Sequence, residues 1–145
     1  GQPMTAKEYL GQAYRLDQRI NTKLMQIESL RSLTQKVTVA YGGEPVSHTR
    51  NVSSLEDAII RMMQAENELN REIDRLVDLK MDISSVIAAV RNENYRLVLE
   101  KRYLCFENWN QIGDEMRYSR RWVRDVHERA LDVIEKILAE RSAAQ

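Results

Sequence analysis

Between Leu55 and Val90, apolar side chains recur in alternating steps of four and three: Leu55, Ile59, Met62, Leu69, Ile73, Leu76, Ile83, Ile87 and Val90. Glu66 and Lys80 occupy the two remaining positions of the series. Only an α-helix brings residues at that spacing to one side, and a helix this long with an apolar seam needs another helix along it. Polar residues on such a seam more often fix register or oligomer state than perform chemistry. Ser53 with Glu56 is a capping box that starts the helix. An earlier stretch follows the same grammar. Thr5 and Glu8 form a capping box, Met4 and Tyr9 a hydrophobic staple, and Tyr9, Ala13, Leu16, Ile20, Ile27, Leu30 and Val37 run on as a stripe with Leu24 beside it. Gly11 is its weak point, about 1 kcal/mol worse than alanine. Residues 41–52 hold Gly42, Gly43 and Pro45 and read as a loop. A loop of about 12 residues between helices of about 35 favours an antiparallel hairpin with arms about 50 Å long.

A hairpin of two helices leaves apolar surface over. Leu33, Ile60, Met63, Val77 and Met81 lie off the seam, and self-association into a four-helix bundle or larger assembly would cover them. The alternative is that they pack on the C-terminal helices of the same chain.

Asn92 and Asn94 mark a break, because asparagine favours caps and turns. Tyr95 to Leu104 then reads as a short helix with Leu97 or Val98, Leu99 and Tyr103 facing inward. Cys105 to Asn108 connects it to a further pair of helices, with Cys105 as a small core residue and Phe106 and Trp109 as plugs. Asn108 with Gln111 makes another capping box, and Ile112 and Met116 stripe a short helix. After a turn at Arg117 and Tyr118, Ser119 caps a second helix with Val123, Val126 or His127, Ala130, Ile134 and Ile137 on its buried face. The pattern is a helix-turn-helix, whose second helix enters the DNA major groove. Arg120, Arg121 and Arg124 then sit where base edges and phosphates are met, and guanidinium forks suit both.

Arg96 to Leu104, then Trp109 to Met116, Tyr118 to Val123 and Arg129-Ala-Leu resemble region four of bacterial sigma factors, over residues 95 to 138. The whole chain from Met4 resembles the sigma-like transcriptional regulators of Gram-positive phages and prophages related to ArpU and RinA. The resemblance implies a small helical unit that binds duplex DNA. It implies contacts at Arg120, Arg121 and Arg124, with Trp122 and Asp125 beside them, and it makes RNA polymerase a candidate partner. Three positions depart from the sigma pattern. Gln111 stands where Glu is usual, Gly113 where Ala is usual, and Arg117 where Gly is usual. A non-glycine there either takes a left-handed conformation, at about 1 kcal/mol, or changes the turn. No segment resembles those with which sigma factors melt promoters, which argues against a complete sigma factor.

Composition sets the remaining bounds. Twenty-two basic and 22 acidic residues balance, so DNA affinity must come from a local patch. Arg117 to Arg129 supplies one, with five arginines against Asp125 and Glu128. Cys105 is alone, which excludes an intrachain disulfide and fits a reducing, cytoplasmic setting. The longest apolar run, Val86 to Val90, is far short of the ~20 residues of a membrane span. Gly1-Gln2-Pro3 reads as a cloning remnant ahead of Met4. His48 and His127 lack the companions of a metal site, and His127 reads as a packing residue. Asp114 with Glu115, and Glu66 with Glu68, do not suggest acid-base chemistry, and no glycine-rich phosphate loop occurs. No catalytic, cofactor or metal residue is expected.

The expectation is therefore an all-α chain with a long antiparallel helical hairpin at 4–92 that oligomerises, followed by a helix-turn-helix unit at 93–141. Its expected role is DNA-binding transcription regulation through Arg117, Ser119, Arg120, Arg121, Trp122, Arg124 and Asp125. Two alternatives are a protein-interaction adaptor that docks on RNA polymerase and a small packaging subunit of a phage terminase.

Overall fold

A computed structural model of the chain describes residues 4–41 and 48–145, with side chains described outside 37–52. The described residues are all-α: α1 Ala6–Tyr41, α2 His48–Ala88, α3 Glu93–Leu99, a π-turn at Glu100–Leu104, α4 Trp109–Met116 and α5 Arg120–Ala143. None of these helices is long and apolar enough to cross a membrane. Of the loop expected over 41–52, residues 42–47 lie outside the described residues. Tyr41 still belongs to α1 and α2 begins at His48, because the glycines and proline occupy only 42–45 and nothing after Val46 opposes a helix. Ser53 therefore lies inside α2 rather than at its start. The expected stripe position Val37 lies outside the described side chains.

The chain divides into two compact units, one of residues 4–16 with 76–145, the other Asp17–Arg75. In the first, Ala6, Leu10 and Ala13 of α1, Ile83, Val86, Ile87 and Val90 of α2, Leu99 and Tyr103, and Ala130 and Ile134 of α5 share one core. Leu10, Ile83, Ile87, Leu99 and Ile134 are fully buried, each worth about 1.5–3 kcal/mol of transfer free energy. Polar contacts tie the same helices. Tyr9 Oη donates to Asp82, and Arg141 grips Asp82 with both terminal nitrogens, at 2.5 Å and 3.2 Å. The Ala6 N–H donates to Glu135 Oε1 at 2.7 Å, and the Arg96 guanidinium donates to the Val90 carbonyl at 2.8 Å beyond the end of α2. Lys80, polar on an apolar seam, donates to the Leu104 carbonyl at 3.2 Å and lies over the Phe106 ring. Thr5 Oγ1 accepts the Glu8 N–H as the capping box requires, whereas Met4, the expected staple partner, is exposed.

The π-turn revises one expectation. Its wider turn closes with the Cys105 N–H on the Glu100 carbonyl at 3.1 Å, and the added residue rotates the following side chains around the axis. Cys105 is consequently exposed, not a core residue. Phe106, half-buried, packs against the core instead, at a φ of 58°.

Residues 17–75 form the second unit, in which antiparallel stretches of α1 and α2 face each other. Lys23 meets Glu68 at 2.6 Å and Arg31 meets the seam residue Glu66 at 3.7 Å, exposed pairs that set register more than they add stability. Among its described residues Ile20, Ile27 and Leu69 are the buried apolar ones, and Leu24, expected beside the stripe, is 48% exposed.

Candidate nucleic-acid interface

The local folding of α4 and α5 follows from their caps. Asn108 Oδ1 accepts the Gln111 N–H and Gln111 Oε1 accepts the Asn108 N–H, both at 2.8 Å, so two backbone donors at the start of α4 are satisfied reciprocally. Ser119 Oγ accepts the Trp122 N–H at 3.1 Å and starts α5. Only Arg117 and Tyr118 separate Met116 from that cap. Arg117 takes the left-handed conformation, at φ 60° and ψ 43°, and its N–H and that of Tyr118 both reach the Gly113 carbonyl. Of the two outcomes open to a non-glycine at this position, the chain adopts the strained one. Gly113 is needed for a different reason. A Cβ there would stand 2.9 Å from the Tyr118 carbonyl oxygen, so the alanine usual in the sigma pattern does not fit this turn.

Ile112, Val123, Val126 and Val98 form a second buried cluster that locks α5 against α4 and α3. Of the two alternatives at the short third helix, Val98 faces inward and Leu97 is exposed. With that face of α5 buried, Arg120, Arg121 and Arg124 are exposed and line one open surface depression with Asp125 and Glu128. None of the three arginines makes an ion pair or hydrogen bond among the described residues. Their positive charge is therefore unspent, and each guanidinium can offer paired donors to a phosphate or a guanine edge.

The other expected residues are distributed differently. Ser119 spends its hydroxyl on the cap. Arg117 is exposed in the turn, outside the lining of the depression. Trp122 is half-buried against the second cluster, with its indole stacked on Tyr118 at a centroid distance of 3.6 Å. Tyr118 is 46% exposed. It puts an aromatic surface beside the arginines, which a turn position read as a loop residue did not reveal.

Behind the arginines, His127 is buried at 3% exposure and its Nε2 pairs with Tyr103 Oη at 2.6 Å. The Trp109 ring meets His127 edge-on, and the Arg102 guanidinium lies over Trp109 at 4.3 Å. Burial first, then the charges of Arg102, Lys7 and Arg124, hold His127 down to about 4. Burial chiefly pushes the Tyr103 phenol up to about 12. His127 is thus a neutral packing group with one hydrogen bond. Among the described residues no cluster of three or more His, Cys, Asp or Glu side chains could hold a metal ion.

A cleft opens beside this pair, bordered by Lys7, Gly11 and Arg15 of α1, Arg102, Phe106 and Arg124. Arg124 belongs to both concave surfaces. The α1 residues were not legible as site residues, since only the packing of α1 against the C-terminal helices brings them there. No family model, no curated protein and no solved structure matches the chain.

Proposed function

We propose that this chain is a phage-derived regulator of transcription that binds duplex DNA, with the first turns of α5 in the major groove. The observation that carries the reading is the set of three exposed, unpaired arginines at Arg120, Arg121 and Arg124, directly after a two-residue turn capped by Ser119. Their place at the start of the second helix is the one from which such motifs read base edges. The resemblance of residues 95 to 138 to sigma region four, and of the chain to phage regulators, supports the same reading. It also keeps RNA polymerase as a second partner. Asp125, in the same depression as Arg121 and Arg124, can accept from cytosine.

Self-association belongs to the proposal. Within Asp17–Arg75, Leu24, Met25, Leu33, Ile59, Ile60, Met63 and Ile73 are exposed, and a second copy would cover them. A symmetric assembly would place two or more reading helices on repeated half-sites. The same exposed apolar residues favour the adaptor reading, in which the hairpin captures another protein.

Selection of retained duplexes from a random pool, followed by sequencing, tests the function. A repeated half-site motif supports regulation. No retained duplex at moderate salt, with polymerase co-purifying, gives the adaptor. Mass in solution separates packaging, because a ring of eight or more copies belongs to a terminase subunit.

A further inference from the structure

The cleft beside His127 has a cationic border, and of its four cations Arg102 is engaged within the chain, over the Trp109 ring and on the Glu107 carbonyl at 3.0 Å. Lys7 and Arg15 are exposed and make no ion pair or hydrogen bond among the described residues, and neither does Arg124. Glu128 is the one carboxylate in the lining, against the four cations Lys7, Arg15, Arg102 and Arg124. Burial chiefly holds His127 low, and three of those cations, Arg102, Lys7 and Arg124, add to the effect.

A second, independent feature lies on α1. Gly11 stands between Lys7 and Arg15, one turn from each, in the interior of a 36-residue helix, where glycine costs roughly 0.5–1 kcal/mol relative to alanine. Packing does not demand it, because a Cβ at Gly11 would meet nothing within 4 Å. Its effect is to leave the wall of the cleft bare between two cations. The wall is open at that point, and the unpaired basic residues on either side of it suit an anionic ligand.

We propose that this cleft is a second anion seat, in which Lys7 and Arg15 of α1 grip the phosphate backbone of the same duplex whose major groove α5 reads. The proposal rests on the reading of α5 as the DNA-contacting helix, and Arg124 carries the continuity, as it borders both concave surfaces. Lys7 and Arg15 are eight residues apart, about 12 Å of helix at 1.5 Å per residue, so they meet different phosphates. Contacts of this kind position the protein and carry no sequence information. The beginning of the hairpin is then part of the DNA interface.

The test is a salt titration of duplex affinity on the full-length chain, with Lys7→Gln/Arg15→Gln and Gly11→Glu compared with Arg121→Ala. Gly11→Glu replaces a poor helix former with a good one in open space, so it keeps the fold while placing a carboxylate in the cleft. Loss of two phosphate contacts should flatten the slope of log K against log salt by about 1.8, at about 0.9 per contact. Affinity should fall about tenfold, equally on selected and random duplexes. Gly11→Glu should lower affinity at least as much while melting no earlier than the parent. Unchanged slope and affinity in both cleft variants, while Arg121→Ala still loses preference for the selected site, overturns the second seat and leaves the reading helix standing. Failure of the parent chain to bind any duplex overturns both.

Discussion

Residues 17–75 and the unit formed by 4–16 with 76–145 draw on the same two long helices, yet they solve burial to different degrees. Where α1 and α2 meet α3 and α5, five large side chains, Leu10, Ile83, Ile87, Leu99 and Ile134, lie below 2% exposure. Where only α1 and α2 are present, Ile20, Ile27 and Leu69 keep 5–8%, and seam residues Ile59 and Ile73 are 39% exposed. A helix pair can cover one stripe on each partner and no more. Heptad spacing specifies a helix with an apolar side, but the cover for that side depends on how many helices arrive.

The largest expected effect is on the well-covered unit. Ile134→Ala should cost about 2–5 kcal/mol in urea unfolding, the loss for a side chain removed from a closed core. Ile27→Ala should cost no more than about half of that. Equal costs would break the contrast and mean that Ile27 is covered by a second copy in solution.

Next is a pH effect confined to the closed core. The unfolded chain titrates His127 near 6.5, whereas the folded chain holds it near 4, so between those values the unfolded state binds a proton that the folded state refuses. Its contribution is complete above about pH 6.5 and is lost as pH falls towards 4, by about 2–3 kcal/mol at about 1.4 kcal/mol per unit. Urea midpoints at pH 7.5 and 4.5 measure it, and His127→Gln should remove most of the difference.

The turn between α4 and α5 gives two smaller effects of opposite sign. Gly113→Ala should destabilise by about 1–3 kcal/mol, because its Cβ meets the fixed carbonyl of Tyr118 and the turn must shift. Arg117→Gly should stabilise by about 1 kcal/mol by relieving a left-handed non-glycine. Thermal unfolding reads both.

The smallest effect on the single chain, and the sharpest on the contrast, is Ile60→Glu with Met63→Glu in the open unit. Both side chains are more than half exposed, so unfolding of the monomer should stay within about 0.5 kcal/mol of the parent for each. Mass in solution by light scattering should fall if this face joins copies.

What was legible in the sequence was whatever local chemistry decides. Asn108, Gln111 and Ser119 cap as their side chains dictate, and the buried positions of α5 follow from their spacing. Arg117 posed a choice between two turn geometries that only the tertiary contacts of Gly113 and Tyr118 resolve. The inward Val98 rather than Leu97, the exposed Cys105 and the early start of α2 escaped for a common reason. Each depends on where a helix starts or how its side chains are turned, and hydrophobic periodicity does not report that. Lys7 and Arg15 escaped differently, since their neighbours in the cleft lie about 90 or more residues away in the chain and no spacing rule reaches that far.

The most direct test of the central claim is the affinity of the parent and Arg121→Ala for a duplex selected by the parent chain, measured at one salt concentration by fluorescence anisotropy. A guanidinium lost from a base or phosphate contact is worth about 1–3 kcal/mol, so the variant should bind roughly 5- to 150-fold more weakly while melting at the same temperature. Equal affinities for that duplex would contradict the placement of α5 in the groove.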